Sequence, residues 1–219
     1  MAYILNIETA TKNCSVAIAQ DGITTACQEI ATENYSHAEK LHVFIASVIA
    51  QAGISFKDLS AIAVSQGPGS YTGLRIGVSA AKGLCFALKI PLIALDTLSI
   101  LVEQATIEEG IIIPMLDARR MEVYSAIFNA NKQMIREVQA QIITSESFSD
   151  WNDPIYVLGD CQEKLQPILD RPNFIFMHEL VFPSAKDMGK LGYDKFKIAA
   201  FEDLAYFEPY YLKEFLISK

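Results

Sequence analysis

The chain has 219 residues, 51% of them apolar, which suffices for one large or two small cores and excludes a disordered chain. Its formal charge is −8 and its isoelectric point about 4.9, which makes it a poor stand-alone nucleic-acid binder, because phosphate contacts need a basic surface. Cys14, Cys27, Cys85 and Cys161 are scattered with no C-x-x-C pair, the pattern of reduced thiols in a cytoplasmic protein rather than of a disulfide framework.

No basic-then-apolar leader opens the chain, and no apolar run reaches the roughly 18 residues of a membrane span. A cytoplasmic protein without membrane contact is therefore expected. Residues 3–7 read as a buried strand and residues 8–13 as a turn. Residues 14–19 and 24–30 form a hairpin around Asp21-Gly22. Ser36 and Glu39 make a capping box for a helix that Gly53 stops. Leu41, Phe44, Ile45, Val48, Ile49 and Ala52 share one face of that helix, while Val43, Ala46 and Ala50 make a second apolar face. A helix apolar on two sides needs two neighbours.

Residues 61–65 read as a short buried strand, followed by the glycine-rich run Gln66-Gly67-Pro68-Gly69-Ser70-Tyr71-Thr72-Gly73 and a helix to about Leu88. Gly73, Gly77 and Ala81 recur every four residues along this helix, a spacing that lets another backbone approach closely. A strand at 92–95 and a helix at 97–106 follow, and strands alternating with helices imply a parallel element. Then the pattern restarts. A strand at 111–116 ends at Asp117, Arg119-Arg120 turns the chain, and residues 122–129 and 133–144 form a hairpin around Asn131-Lys132. The same module thus appears twice, about 109 residues apart: a strand ending in an acid, a turn, then a hairpin. The second copy continues with a strand at 155–158, a helix at 161–169 and a short helix at 183–193. Residues 202–211 could be helical up to Pro209. The expected domains are 1–108, with 199–219 packing back on it, and 109–198.

Several residues could carry chemistry. The glycine run could cradle an anion on backbone N–H groups at a helix start, or it could be a tight turn with close packing. It matches neither G-x-x-x-x-G-K-[ST] nor G-x-G-x-x-G. Glu8 and Asp117 could grip a metal-nucleotide between the two modules, or each could satisfy N–H groups of its own turn. His37 and His42 are five apart, hence about 140° apart around a helix, and cannot share one ion. Ser70 lacks the G-x-S-x-G setting of a hydrolase nucleophile. No metal site is expected. Arg119-Arg120 could contact phosphate or an acidic partner, or simply be a solvated turn.

Three blocks carry a family resemblance. They are Ile4-Leu5-Asn6-Ile7-Glu8-Thr9 with Cys14-Ser15-Val16-Ala17, the run from Gly67 to Gly77, and Asp117-Ala118-Arg119-Arg120-x-Glu122-Val123-Tyr124. Ser36-His37-Ala38-Glu39 and Pro209-Tyr210-Tyr211-Leu212 add to them. Together they resemble the TsaB (YeaZ) family of the glycoprotease-like superfamily. The resemblance implies an α/β fold of two ribonuclease H-like domains of the actin-like, Hsp70-like kind, with the second domain reduced. It implies a non-catalytic subunit that binds the catalytic TsaD and works with the ATPase TsaE in transferring a threonylcarbamoyl group to N6 of adenosine 37 in tRNAs decoding ANN codons. Contact with tRNA would be indirect, through that complex.

It also implies that helices 36–52 and 73–88 dock on TsaD or on a second copy of the chain. Tyr35, His37, Leu41, Phe44, Ile45 and Val48 of the first, and Gly73, Arg75, Ile76, Gly77, Ala80, Ala81 and Leu84 of the second, are the residues expected at that contact. No resident cofactor is expected. Any ATP or ADP with Mg²⁺, held at a subunit interface, would fall to Glu8, Gly67, Gly69, Ser70, Thr72 and Asp117. The competing reading is an ATP-dependent phosphotransferase of the sugar-kinase type built on Glu8, Asp117 and the glycine run. A metalloprotease is the third.

Overall fold

A computed structural model describes residues 1–32 and 37–212. Each module of the sequence builds one five-stranded sheet, and the two sheets have the same plan. In the first, β1 (Tyr3–Glu8), β2 (Asn13–Gln20) and β3 (Ile23–Ala31) run antiparallel, while β4 (Leu59–Gly67) and β5 (Leu92–Asp96) continue from β1 in parallel, giving the order β3-β2-β1-β4-β5. In the second, β6 (Ile111–Asp117), β7 (Glu122–Asn129) and β8 (Met134–Ile142) form the meander. The parallel strands are β9 (Ile155–Leu158) and β10 (Phe174–Phe176), and the order is β10-β9-β6-β7-β8. This duplicated 3-2-1-4-5 arrangement is the ribonuclease H-like pair of an actin-like α/β fold.

The period of two along the strands decides what covers each face. Leu5, Ile7, Val16, Ile18, Ile62 and Val64 face helix α1 (His37–Gln51) and helix α2 (Tyr71–Leu88), which together form the main core. Gly53 ends α1 as expected: its φ is +66°, its N–H donates to Ala50 O at 3.1 Å, and Ile54 N donates to Ile49 O at 3.3 Å. That double bond is the left-handed helix stop that glycine favours. The expected cap Ser36 lies outside the described residues, as does Tyr35.

Ile4, Ala17, Ala61, Ala63, Ile93 and Leu95 point the other way and pack on Ile100, Ala185 and Met188. Ile100 belongs to α3 (Thr97–Val102), which is capped by Asp96 Oδ1 accepting from Ser99 N at 2.8 Å. This helix is a wedge between the sheets. Leu98, Leu101 and Val102 enter the core of the second sheet with Ile112, Leu116 and Phe128.

Several expected boundaries move. Helix α3 stops at Val102 rather than near 106. Helix α4 is only Gln162–Leu165, and β10 was not foreseen. The helix expected at 183–193 is a 3-10 turn, Ala185–Asp187, followed by α5 (Gly189–Lys197). These pieces cover the first sheet: Ala185 N donates to Ser15 Oγ at 2.9 Å, and a Cβ on Gly192 would stand 3.4 Å from Asn6 Oδ1. The border expected at 198 therefore does not match the packing, because this late segment covers the face of the first sheet that α1 and α2 leave open. Residues 202–211 are not helical. They form an extended strap pinned to the first domain by Glu202 N to Leu92 O at 2.9 Å and Tyr210 N to Gln66 O at 2.7 Å.

Candidate functional site

The glycine run wraps the β1–β2 turn. Ser70 N donates to Ala10 O at 2.7 Å, Thr9 Oγ1 donates to Gly73 O at 2.8 Å, and Ser70 Oγ caps α2 by accepting from Gly73 N at 3.3 Å. A Cβ on Gly69 would collide with Ala10, one on Gly73 with Thr9 O, and one on Gly77 with Thr9 Oγ1. Gly67 lies under the carbonyl of Tyr210. These glycines exist so that the chain's own backbone can come close. The nucleotide cradle expected from Gly67, Gly69 and Ser70 is therefore filled from within, and only Thr72 is exposed.

The two acids that mirror each other in sequence are unlike in space. Glu8 is completely buried, and its Oε1 accepts from Ala10 N at 2.5 Å, so it serves its own turn. Burial is the main force pushing its carboxyl up to about 7, against the Ala10 N–H and the Ser65 hydroxyl, with Asp96 adding to the rise. Asp117 is exposed at the mouth of the second module. Its Oδ1 accepts from Lys164 Nζ at 2.6 Å and from Arg119 N at 3.0 Å, and its own N–H donates to Asp160 Oδ1 at 2.8 Å. Burial raises Asp160, and the Asp117 N–H is the main group that pulls it back, with the charge of Lys12 from the first module adding a little. The mirrored acids do not form a two-sided clamp for a metal-nucleotide. Among the described residues no group of three or more His, Cys, Asp or Glu could hold a metal ion.

The helices divide differently from the expectation. His37, Leu41, Ile45, Val48, Gly73, Gly77 and Ala81 are buried within the chain and cannot touch a partner. His37 Nε2 is 2.8 Å from Thr11 O, and its ring carbon lies against Gly73, so it braces the same turn. Phe44, Ile76, Ala80 and Leu84 are half-buried on the flank. Arg75 is exposed.

The outward faces belong to residues the interface expectation omitted. On α1 they are Val43 (62% exposed), Ala46 and Ala50, and on α2 they are Ser79, Gly83 and Phe86 (78% exposed). The signal was present for α1, whose second apolar face is this one. On α2 the glycine spacing marks the inward face instead.

The described part of the 199–219 segment packs on the first domain, as an extended strap rather than a helix. Lys82 Nζ holds it through Phe207 O at 2.8 Å and Ala205 O at 3.3 Å, and Leu204 and Phe207 pack against the main core. A surface groove of ≈ 620 Å³ runs along it beside Gln66, Tyr206 and Tyr210.

Comparison with known proteins decides the family. Residues 29–165 match the model of the TsaD family, described as tRNA N6-adenosine threonylcarbamoyltransferase. The TsaB protein of Escherichia coli K12, named a tRNA threonylcarbamoyladenosine biosynthesis protein, is 29% identical across 96% of this chain and 94% of its own. The chain belongs to this family, on its TsaB (YeaZ) branch. The tRNA N6-adenosine threonylcarbamoyltransferase of Bacillus subtilis is 31% identical but matches over only 52% of this chain and 37% of its own. A crystal structure from Pseudomonas aeruginosa, described as similar to peptidase YEAZ, superposes with a TM-score of 0.82 at 25% identity, covering 97% of this chain and all of that one.

Proposed function

We propose that the chain is a non-catalytic partner subunit in tRNA threonylcarbamoyladenosine biosynthesis. It docks on the catalytic TsaD subunit through α1 and α2 and works beside the ATPase TsaE. The complex, rather than this chain, transfers the threonylcarbamoyl group to N6 of adenosine 37. The observation that carries the reading is the outer surface of the two helices. Phe86 and Val43 are large apolar side chains left in water, with small Ala46, Ala50, Ser79 and Gly83 on the same outward faces. Such a surface marks a docking site. Burying roughly 800 Å² per partner there would make a standard specific interface.

A charge of −8 supports indirect tRNA contact, through a more basic subunit. The sealed Glu8 and the self-filled glycine run give no support to a phosphotransferase acting alone. Self-association through the same face would compete with TsaD. Among the described residues no helix is long and apolar enough to cross a membrane, which accords with work in the cytoplasm. The test is to mix the protein with its cognate TsaD and measure masses by size-exclusion chromatography with light scattering. Co-elution as a stable complex is expected. Separate elution, with TsaE and ATP present as well, would overturn the reading.

A further inference from the structure

Among the charged groups on the outward sides of α1 and α2, Arg75 is unusually well held. Arg75 projects from α2 into solvent, yet its guanidinium is fixed on two sides. Its carbon lies 4.0 Å from the centre of the Tyr71 ring and 5.9 Å from that of Tyr211, and its Nε donates to the Tyr211 hydroxyl at 3.0 Å. The two rings are 4.9 Å apart and tilted by 39°. Tyr211 comes from the strap, 136 positions along the chain, so helix and strap are both committed to placing this one group. Held beside two rings and bonded through Nε, the exposed guanidinium is a pre-placed planar donor group, the geometry that matches an oxyanion. No carboxylate of the described residues forms an ion pair with it. An exposed arginine ordinarily loses much side-chain freedom on binding, and this one has lost it beforehand.

The surroundings say what kind of surface brings the anion. Along the outer stripe of α2, Arg75 is followed by Ser79, Gly83 and Phe86, with about 16 Å from first to last at 1.5 Å per residue. A Cβ on Gly83 would meet nothing within 4 Å. The stripe therefore has a cation at one end, a low floor in the middle and an aromatic knob at the other end. That shape fits a helix, with an acid at one end and a pocket for Phe86 about three turns away. An RNA backbone is a poor fit, since the stripe carries one cation beside an apolar knob and the chain is strongly acidic.

We infer that Arg75 is the charged anchor of the docking face and that it receives an Asp or Glu carboxylate from the partner's contacting helix, with Tyr71 and Tyr211 as its positioning residues. This rests on the docking role of α1 and α2 proposed above, and names the chemistry that role requires of the partner.

The experiment measures dissociation constants for the intact protein and the cognate TsaD by calorimetry. Arg75→Gln is expected to weaken binding about tenfold or more, because it strands the partner's acid. Arg75→Lys should recover only part of that, having charge without the planar donor group. Tyr211→Phe should weaken binding severalfold in the natural background and not at all in the Arg75→Gln background, a coupling that mere loss of strap packing would not show. Phe86→Ser probes the face independently. If Phe86→Ser weakens binding and Arg75→Gln does not, the face stands and the anchor is overturned. If neither matters, both fall. If Arg75→Gln spares the protein complex but lowers its affinity for tRNA, the anchor takes phosphate, and the inference is wrong.

Discussion

Thr9 and Gly73 hold each other in a contact that neither a larger residue nor a looser turn would permit. The Thr9 hydroxyl donates to Gly73 O at 2.8 Å, while the Thr9 carbonyl occupies the place where a side chain on residue 73 would begin. Gly73→Ala should therefore act as an overpacking change and cost about 1–3 kcal/mol in urea unfolding. Gly83 sits on the same helix with open space around it. Gly83→Ala should stabilise the fold by about 0.5–1 kcal/mol, the helix preference of alanine over glycine. Equal effects of the two changes would contradict the inward and outward division of α2.

Glu8 makes stability depend on pH in a stated direction. Its carboxyl titrates near 4.5 in an unfolded chain and about 7 in the folded one. Below pH 4.5 it is protonated in both states and costs nothing. As pH rises from there towards 7 the unfolded state ionises first, so folding loses stability, by about 3 kcal/mol once pH exceeds 7. Glu8→Gln keeps an acceptor for Ala10 N and has no charge to bury. Denaturation midpoints measured from pH 5 to 8 should fall more steeply for the natural protein than for Glu8→Gln. Asp187, raised to about 6 mainly by burial, contributes a similar decline to both proteins. Parallel curves would remove Glu8 from the account.

The strap hangs on Lys82. Its ammonium donates to Phe207 O and Ala205 O, and Leu204 and Phe207 supply the apolar contact. Lys82→Met should leave the melting temperature within a few degrees and raise the rate of limited proteolysis within 199–212, because local opening needs far less free energy than global unfolding. Unchanged cleavage would mean the strap is held by its apolar contacts and its backbone bonds to Leu92 and Gln66 without Lys82.

Much of this architecture was legible in the sequence because strand patterns are local. The strand, acid, turn and hairpin seen at 3–30 and again at 111–144 are the β1–β3 and β6–β8 meanders, and Asp21-Gly22 is the turn that its +49° and +90° φ angles require. What stayed hidden depended on direction or on distant partners. Gly73, Gly77 and Ala81 say that something comes close to α2, and nothing in their spacing says that it is Thr9 of the same chain rather than another subunit. Glu8 and Asp117 end equivalent strands, but burial depends on what covers them. The first lies under the turn of its own module, and the second is open to solvent. Residues 185–197 cover a sheet far earlier in the chain, and their polar, Gly-containing sequence carries no mark of which sheet that is. Tyr211 could not be placed beside Arg75 by any local pattern.

The central claim is that the outer stripes of α1 and α2 exist to be covered by another protein. The direct measurement is the dissociation constant for TsaD of the double variant Val43→Ser, Phe86→Ser, beside its circular dichroism and melting temperature. The account predicts an unchanged fold and a loss of affinity of at least about a hundredfold, since the two large exposed apolar anchors of the contact are removed. An unchanged dissociation constant with the fold intact would contradict it.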